Sequence, residues 1–204
     1  MNDTQLKTIF WDFDGVLMNS NKIRDKGFLE VLKSYPKEDV DQLMTYHQIN
    51  GGLSRYVKFR YFFEEIRGEE ISEDAIQEWA NKFSEIMLSL LINRDLLIQE
   101  TNAFIASNYK NYNMHIVSGS DGVELNKICN GIGISHFFKT IQGTPIPKNK
   151  LVKDIIDEEG YNKNERLLTG DSINDYEAAN NNGIFFLGYN NEIIEKKSTV
   201  IFHF

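Results

Sequence analysis

A doubly wound parallel α/β sheet carrying an inserted all-helical segment is the architecture this sequence predicts. Short apolar runs ending in small or acidic turns alternate with amphipathic stretches, the pattern of a parallel sheet covered by helices. The alternation breaks once, between about residues 17 and 94, where only helical signals occur. Finally, the turns after the apolar runs hold carboxylates, a hydroxyl and an ammonium, and open α/β sheets bind ligands at the carboxyl ends of their strands. The predicted organisation is an α/β core of residues 1–16 and 95–204 with a helical cap at 17–94.

Each element follows from local pattern. Ile9-Phe10-Trp11 is an apolar run ending in Asp12-Phe13-Asp14-Gly15, a buried strand and its loop. Ile23, Phe28, Val31 and Leu32 are spaced for one helix face, and Val57, Tyr61 and Phe62 for another. Ser72 is a good N-cap with Glu73 and Asp74 behind it. The helix it opens shows Ile76, Trp79, Ala80, Phe83, Ile86, Met87, Leu90 and Leu91 at amphipathic spacing. A helix near 96–109 leads to the strand Met114–Val117, which ends in Ser118-Gly119-Ser120. Helix 121–130, a short strand at Lys139–Ile141 and helix 150–159 follow. Strand 166–169 ends in Gly170-Asp171-Ser172, helix 175–182 closes on Gly183 as a C-cap, and Ile184–Leu187 is the last strand.

Composition narrows the function. The chain has 204 residues, 41% hydrophobic and 25% charged, as a globular protein has. With 22 basic and 30 acidic residues its net charge is −8, which argues against a phosphate-backbone binder of nucleic acid. The single cysteine, Cys129, cannot pair internally and reads as core. The N-terminus has no secretory pattern, and no run approaches the roughly 20 apolar residues of a membrane span. A cytoplasmic protein with no nucleic-acid or membrane partner is expected, as monomer or weak dimer with the oligomeric state left open. His47, His115, His136 and His203 are scattered with no metal spacing.

Four segments, FWDFDGVL, MHIVSGS, GTPIPKNK and LLTGDSINDYEAA, come in that order with these strand-end contexts. Together they resemble the four motifs of the haloacid dehalogenase superfamily over nearly the whole core, which is Rossmann-like. The segment 17–94 looks like the helical cap of the phosphoglycolate phosphatase and β-phosphoglucomutase-like branch. The resemblance implies that Asp12 is a nucleophile forming an aspartyl-phosphate, and that Asp14 protonates the leaving oxygen and then deprotonates water. Dehalogenating members lack the second Asp and ion pumps carry Thr there, so Asp14 points to phosphatase or mutase.

The residue types agree with that reading. Asp12, Asp14, Asp171 and Asp175 would bring up to four carboxylates together, unstable without a cation, and hard oxygen donors suit Mg²⁺. Asp175 is either a ligand or a turn and cap residue. Ser118 and the Gly119 N–H can donate to a phosphoryl oxygen, and Lys148 can neutralise its charge and hold Asp12. Lys150 is the rival, but Lys148 is preferred because the buried helix face starts near Leu151. From Gln42 to Phe63 no acidic residue occurs, while Arg55, Lys58 and Arg60 alternate with Tyr56, Phe59 and Tyr61 after Gly51-Gly52. Either this patch faces an anionic substrate, with Arg55 the first choice, or the aromatics pack a core and the cations are solvated. The expected function is a Mg²⁺-dependent phosphatase of a small phosphorylated metabolite, a sugar phosphate or phosphoglycolate-like ester. The alternatives are a sugar phosphomutase or a non-catalytic binding protein that kept the fold.

Overall fold

The computed structural model describes residues 6–202 and 204, with the side chain of Lys163 excepted. Residues 1–5, at the head of the segment read as no secretory signal, and His203 lie outside the described residues. A five-stranded sheet is formed by β1 (Thr8–Trp11), β2 (Asn113–Asp121), β3 (Thr140–Thr144), β4 (Arg166–Gly170) and β5 (Phe185–Gly188). The strand order is β3-β2-β1-β4-β5 and every pairing is parallel. β1 is central: Trp11 pairs with Ile116 on one side and Thr169 on the other. Its four residues are buried on both faces, which is why it reads as a continuous apolar run.

Alternate side chains of β1 serve different layers. Ile9 and Trp11 join Leu125, Ile128 and Cys129 of α6 (Gly122–Gly131) and Ile105 of α5 (Gln99–Asn108). Phe10 joins Leu151, Val152 and Ile155 of α7 (Lys148–Glu159) and Ala178 and Ala179 of α8 (Ile173–Asn181). His115 is a packing residue: it stacks on Phe10 and hydrogen-bonds Thr140 and Tyr161, and burial lowers its pKa to about 4. A last short helix, α9 (Glu192–Glu195), follows β5.

Four helices stand between β1 and α5: α1 (Asn21–Val31), α2 (Lys37–Ile49), α3 (Arg55–Tyr61) and α4 (Glu73–Leu91). A π-helical turn, Phe62–Ile66, extends α3. The Ser72 cap forms as the sequence predicts, its side chain accepting from Ala75 N–H. Phe28, Phe59, Phe62, Phe63, Phe83 and Met87 fill the interior of this helical block. Two expectations shift. Val57 and Leu90 are 45% and 43% exposed, because Phe59 and Leu91 take the inward positions. Helix α2 carries little periodic signal and owes its position to Val40, Leu43 and His47.

The chain enters and leaves this block through two segments zipped side by side. Asn19 N donates to Leu96 O at 2.8 Å, Ile98 N to Leu17 O at 3.0 Å, and Asn102 Nδ2 to Leu17 O at 2.8 Å. Among the described residues no helix is long and apolar enough to cross a membrane.

Candidate active site

The site grows from the turn after β1. Asp12 N–H donates to Thr169 O at 2.9 Å, continuing the sheet one residue past the strand. The Phe13 ring is fully buried and its carbonyl accepts from Leu17 N–H at 2.9 Å. With Phe13 pinned in the core, the carboxylates on either side of it, Asp12 and Asp14, both line a cavity of about 440 Å³ under the helical block. Ser118, Gly119, Ser120 and Asp171 line it from the sheet, and Arg24, Arg55 and Lys58 from the helices. Gly15 allows this turn: its φ is +78°, and a Cβ there would lie 2.0 Å from Asp171 Oδ2.

Asp12, Asp171 and Asp175 each bring one carboxylate oxygen within 4.8 Å of the others. Burial, and then the charge of Asp175, push the Asp12 carboxyl well above its ordinary range, although Lys148 Nζ at 2.8 Å pulls it down. Burial and Asp175 likewise push Asp171 up to about 7. Close carboxylates that resist ionisation together are stabilised by a cation, and an all-oxygen donor set suits a hard divalent ion. The residues therefore fit a hard divalent cation.

Lys148 is the first residue of α7, two residues earlier than the helix start the sequence predicts. It is 7% exposed and bridges Asp12 and Asp175. Lys150 points into solvent, its side chain 62% exposed, and pairs with Asp154. Asp175 proves to be a cap as well as a cluster member. One oxygen takes Lys148, and Oδ2 accepts from Ser172 N–H at 3.0 Å and Ser172 Oγ at 2.6 Å, a capping box.

The carboxylate of Asp14 stands outside the cluster, so the expected four-carboxylate group is one of three among the described residues. Its oxygens are otherwise engaged. Oδ2 accepts from Ser120 Oγ at 2.6 Å, and Oδ1 from Arg24 Nε at 3.0 Å and from Ser20 Oγ. Burial alone would raise its pKa, but the Arg24 charge and these hydrogen bonds outweigh it, and the carboxyl is held below its ordinary value. Arg24 continues the network to Glu124 Oε1 at 2.5 Å.

Ser118 is buried at the end of the apolar part of β2, and its Oγ accepts from Ser120 N–H at 3.1 Å. Gly119 meets the helical block directly. A Cβ on it would lie 2.4 Å from the Gly52 carbonyl oxygen. The Gly51-Gly52 loop thus rests on the sheet edge because position 119 has no side chain. Gly119→Ala is expected to hold that loop off the site and raise KM, leaving Tm within a few degrees; an unchanged KM would show that the contact does not matter in solution.

Arg55 reaches the cavity wall but is not a free cation. Its Nη1 donates to Glu124 Oε2 at 2.5 Å and to Ser84 Oγ at 2.7 Å, and its Nη2 to Glu124 Oε1 at 2.9 Å. The patch around it divides in three. Phe59 and Tyr61 pack, Arg60 pairs with Glu64 and Glu73 at the surface, and Lys58 is buried. Sequence reading missed Ser20, Arg24, Ser120 and Glu124. Ser120 had a signal, lying two residues beyond Ser118 in the same turn; Arg24 and Glu124 had none, since ordinary helix positions place them.

The family model for haloacid dehalogenase-like hydrolase matches residues 9–189. The chain belongs to the haloacid dehalogenase-like hydrolases. A 5'-nucleotidase of Pseudomonas aeruginosa strain PAO1 is 23% identical over 197 residues, covering 92% of this chain and 85% of that protein. Among solved structures, a predicted phosphoglycolate phosphatase from Haemophilus somnus 129pt superposes with TM-score 0.69 at 21% identity. That match covers 92% of this chain and 86% of the other. A β-phosphoglucomutase from Clostridium difficile superposes with TM-score 0.74 at 16% identity, covering 97% and 91%. These likenesses show that this haloacid dehalogenase-like chain shares its fold with a predicted phosphoglycolate phosphatase and a β-phosphoglucomutase.

Proposed function

We propose that this hydrolase is a Mg²⁺-dependent, cytoplasmic phosphatase of a small phosphorylated metabolite, acting through an aspartyl-phosphate on Asp12. Residues 17–94 serve as a cap over a catalytic core of 1–16 and 95–204. The supporting observation is the contrast between the two carboxylates of the first turn. Asp12 sits among carboxylates with an ammonium on it, whereas Asp14 sits outside that cluster under an arginine and two hydroxyls. Environments that separate two carboxyls mark two chemical roles.

In this reading an Asp12 oxygen attacks phosphorus, the ester P–O bond breaks, and the leaving oxygen takes a proton from Asp14. Water then attacks the acyl-phosphate, Asp14 receives its proton, and phosphate departs with the Asp12 carboxylate restored. The network on Asp14 favours the ionised form, so the proton it gives to the leaving oxygen arrives with the substrate's phosphate monoanion, and the ionised form left behind is the one that accepts the proton from water. Lys148, Ser118 Oγ and the Gly119 N–H stabilise charge on the transferring group. Asp12, Asp171 and the Asp14 main-chain carbonyl would hold Mg²⁺, with Asp175 at its edge, and the bound ion supplies electrophilic neutralisation of the phosphoryl oxygens. Arg55 borders the leaving-group chamber and braces Glu124.

The test is Mg²⁺-dependent release of phosphate from para-nitrophenyl phosphate, and failure to release any would sink the proposal. Phosphate released in step with substrate consumed separates hydrolysis from mutase turnover. Asp14→Asn is expected to slow release by ~10²–10⁴-fold, the range of general acid–base assistance. Asp171→Ala should raise the Mg²⁺ concentration for half activity. Asp175→Ala should instead lower kcat and Tm, because it unseats Lys148; a reversed pattern would reassign the metal ligands.

A further inference from the structure

Glu124 belongs to the core helix α6, yet its carboxylate serves the helical block. The side chain is fully buried. Oε1 accepts from Arg24 Nη1 of α1 at 2.5 Å and from Arg55 Nη2 of α3 at 2.9 Å, and Oε2 accepts from Arg55 Nη1 at 2.5 Å. Arg55 is itself fixed by Ser84 Oγ at 2.7 Å. Glu124 stands three residues past its N-cap, Asp121, where a capping-box glutamate would turn back to its own helix end. That end is closed without it. Asp121 Oδ1 accepts from Glu124 N–H at 2.9 Å, and Asp121 Oδ2 accepts from Tyr56 Oη at 2.7 Å. The Glu124 side chain is thus left for the arginines. Burial would raise its pKa, but the Arg24 charge and the bonds from Arg55 outweigh burial and keep it an anion.

What this anion does follows from Arg24. A guanidinium is a rigid planar fork. Nε of Arg24 donates to Asp14 Oδ1 at 3.0 Å while Nη1 is held on Glu124. The two carboxylates fix the plane of the fork from two of its nitrogens. Without Glu124, Arg24 would be held through Asp14 alone. The two guanidiniums that share Oε1 would then face each other, and like charges that close repel. Arg24 would be pushed off its bond to Asp14. Asp14 Oδ2 would keep Ser120 Oγ, but Oδ1 would lose the donor that sets the tilt of the carboxyl.

From this we infer that Glu124 is a positioning residue for ester cleavage: through the Arg24 fork it aims the Asp14 carboxyl at the leaving oxygen. It touches neither the phosphoryl group nor the carboxylate cluster, and acts one bond removed from the general acid. Arg55, the first choice from sequence for a substrate contact, acts one step further out by fixing both oxygens of Glu124. The inference deepens the phosphatase reading and rests on it.

The test sets an alkyl phosphate, whose leaving oxygen needs a proton, against dinitrophenyl phosphate, whose phenolate leaves without one. The ratio of the two kcat/KM values isolates the contribution of the acid. Glu124→Gln should lower kcat/KM by about 10- to 100-fold on the alkyl ester and by less than about threefold on the aryl ester, since a misplacement of about 1 Å costs up to ~10²-fold. Aryl turnover also shows that the variant is folded. Arg24→Lys, whose ammonium cannot fork between two carboxylates, should show the same selective loss. The double variant should lose no more than either single one, because the two residues act as one unit. Glu85→Gln, exposed on α4, should leave the ratio unchanged. An unchanged ratio in Glu124→Gln, or an equal loss on both esters, makes Glu124 a structural ion pair and overturns the inference. Should that variant not fold, Glu124→Asp, which keeps the charge but is one methylene short, is read in the same way. A second readout needs no turnover. The Arg24 Nε–H resonance should exchange with water about tenfold or more faster in the Glu124 variant than in wild type, as an N–H does when its hydrogen bond opens; equal exchange overturns the inference. If wild type hydrolyses no ester, the phosphatase reading fails by itself, and the exchange rates alone decide whether Glu124 holds Arg24 on Asp14.

Discussion

Asp12→Asn is expected to yield a folded protein whose phosphatase turnover is lost, by on the order of 10⁶-fold, the scale on which removing a covalent nucleophile acts. An amide cannot form the acyl-phosphate, and no second carboxylate replaces it. The remaining cluster members, Asp171 and Asp175, are bonded to Asn21 and to Lys148 and Ser172. Stability should move the other way. Burial and the neighbouring carboxylates raise the Asp12 pKa in the folded protein. A group whose folded pKa is raised stabilises below its unfolded pKa and loses that contribution as pH rises through the folded value. Wild type without metal therefore carries a penalty at neutral pH that Asn does not. A relief of about 1 kcal/mol would raise Tm by roughly 2–4 °C in a protein of this size, and the gain should vanish toward pH 4 and shrink when Mg²⁺ is added. Scanning calorimetry across pH reads the stability arm and phosphate release the catalytic one. Wild-type rates in Asp12→Asn would remove the covalent mechanism.

Lys148→Met should damage both fold and turnover. The ammonium lies between Asp12 and Asp175, 7% exposed, and removing one partner of a buried ion pair costs about 3–5 kcal/mol. For a protein of this size that corresponds to a Tm lower by roughly 6–20 °C. Loss of charge neutralisation at the phosphoryl group should cost a further ~10²–10³-fold in kcat, as removing a transition-state donor does. The pH dependence has a definite sign. Without the lysine the Asp12 pKa rises further, so the variant keeps its stability in acid and loses it as pH climbs toward neutrality. Mg²⁺, by replacing the missing positive charge, should recover part of the Tm. Lys150→Met is the control. Its pair with Asp154 is solvent-exposed and contributes little. Equal effects at 148 and 150 would mean that the bridge seen between the carboxylates does not exist in solution.

The core strands were legible because they are buried on both faces. Such strands read as uninterrupted apolar runs, and their ends are marked by residues that no apolar core would hold, Asp12, Ser118 and Asp171. The helical block was legible as helical but not in detail. Helix α2 has few apolar residues, and the inward choice of Phe59 over Val57 depends on which face meets Phe28 and Phe83.

What the sequence by itself determined is the parallel α/β core, its family, and the turns that carry Asp12, Asp14, Ser118, Lys148 and Asp171. Those properties are written in short-range patterns: the period of apolar residues, and a polar group at the end of an apolar run. The tertiary structure alone decided the pairings. Lys148 was preferred over Lys150 from sequence, but that its ammonium bridges Asp12 to Asp175 follows from where α7 begins relative to the sheet edge. That Asp14 is separated from the carboxylate cluster follows from Arg24, brought to it by the packing of α1. That Arg55 is spent on Glu124 follows from the packing that sets the first residue of α3 beside α6, two residues 69 positions apart in the chain. Charge compensation is a property of distance in space, and side chains far apart in sequence carry no mark of which partner the fold will bring to them.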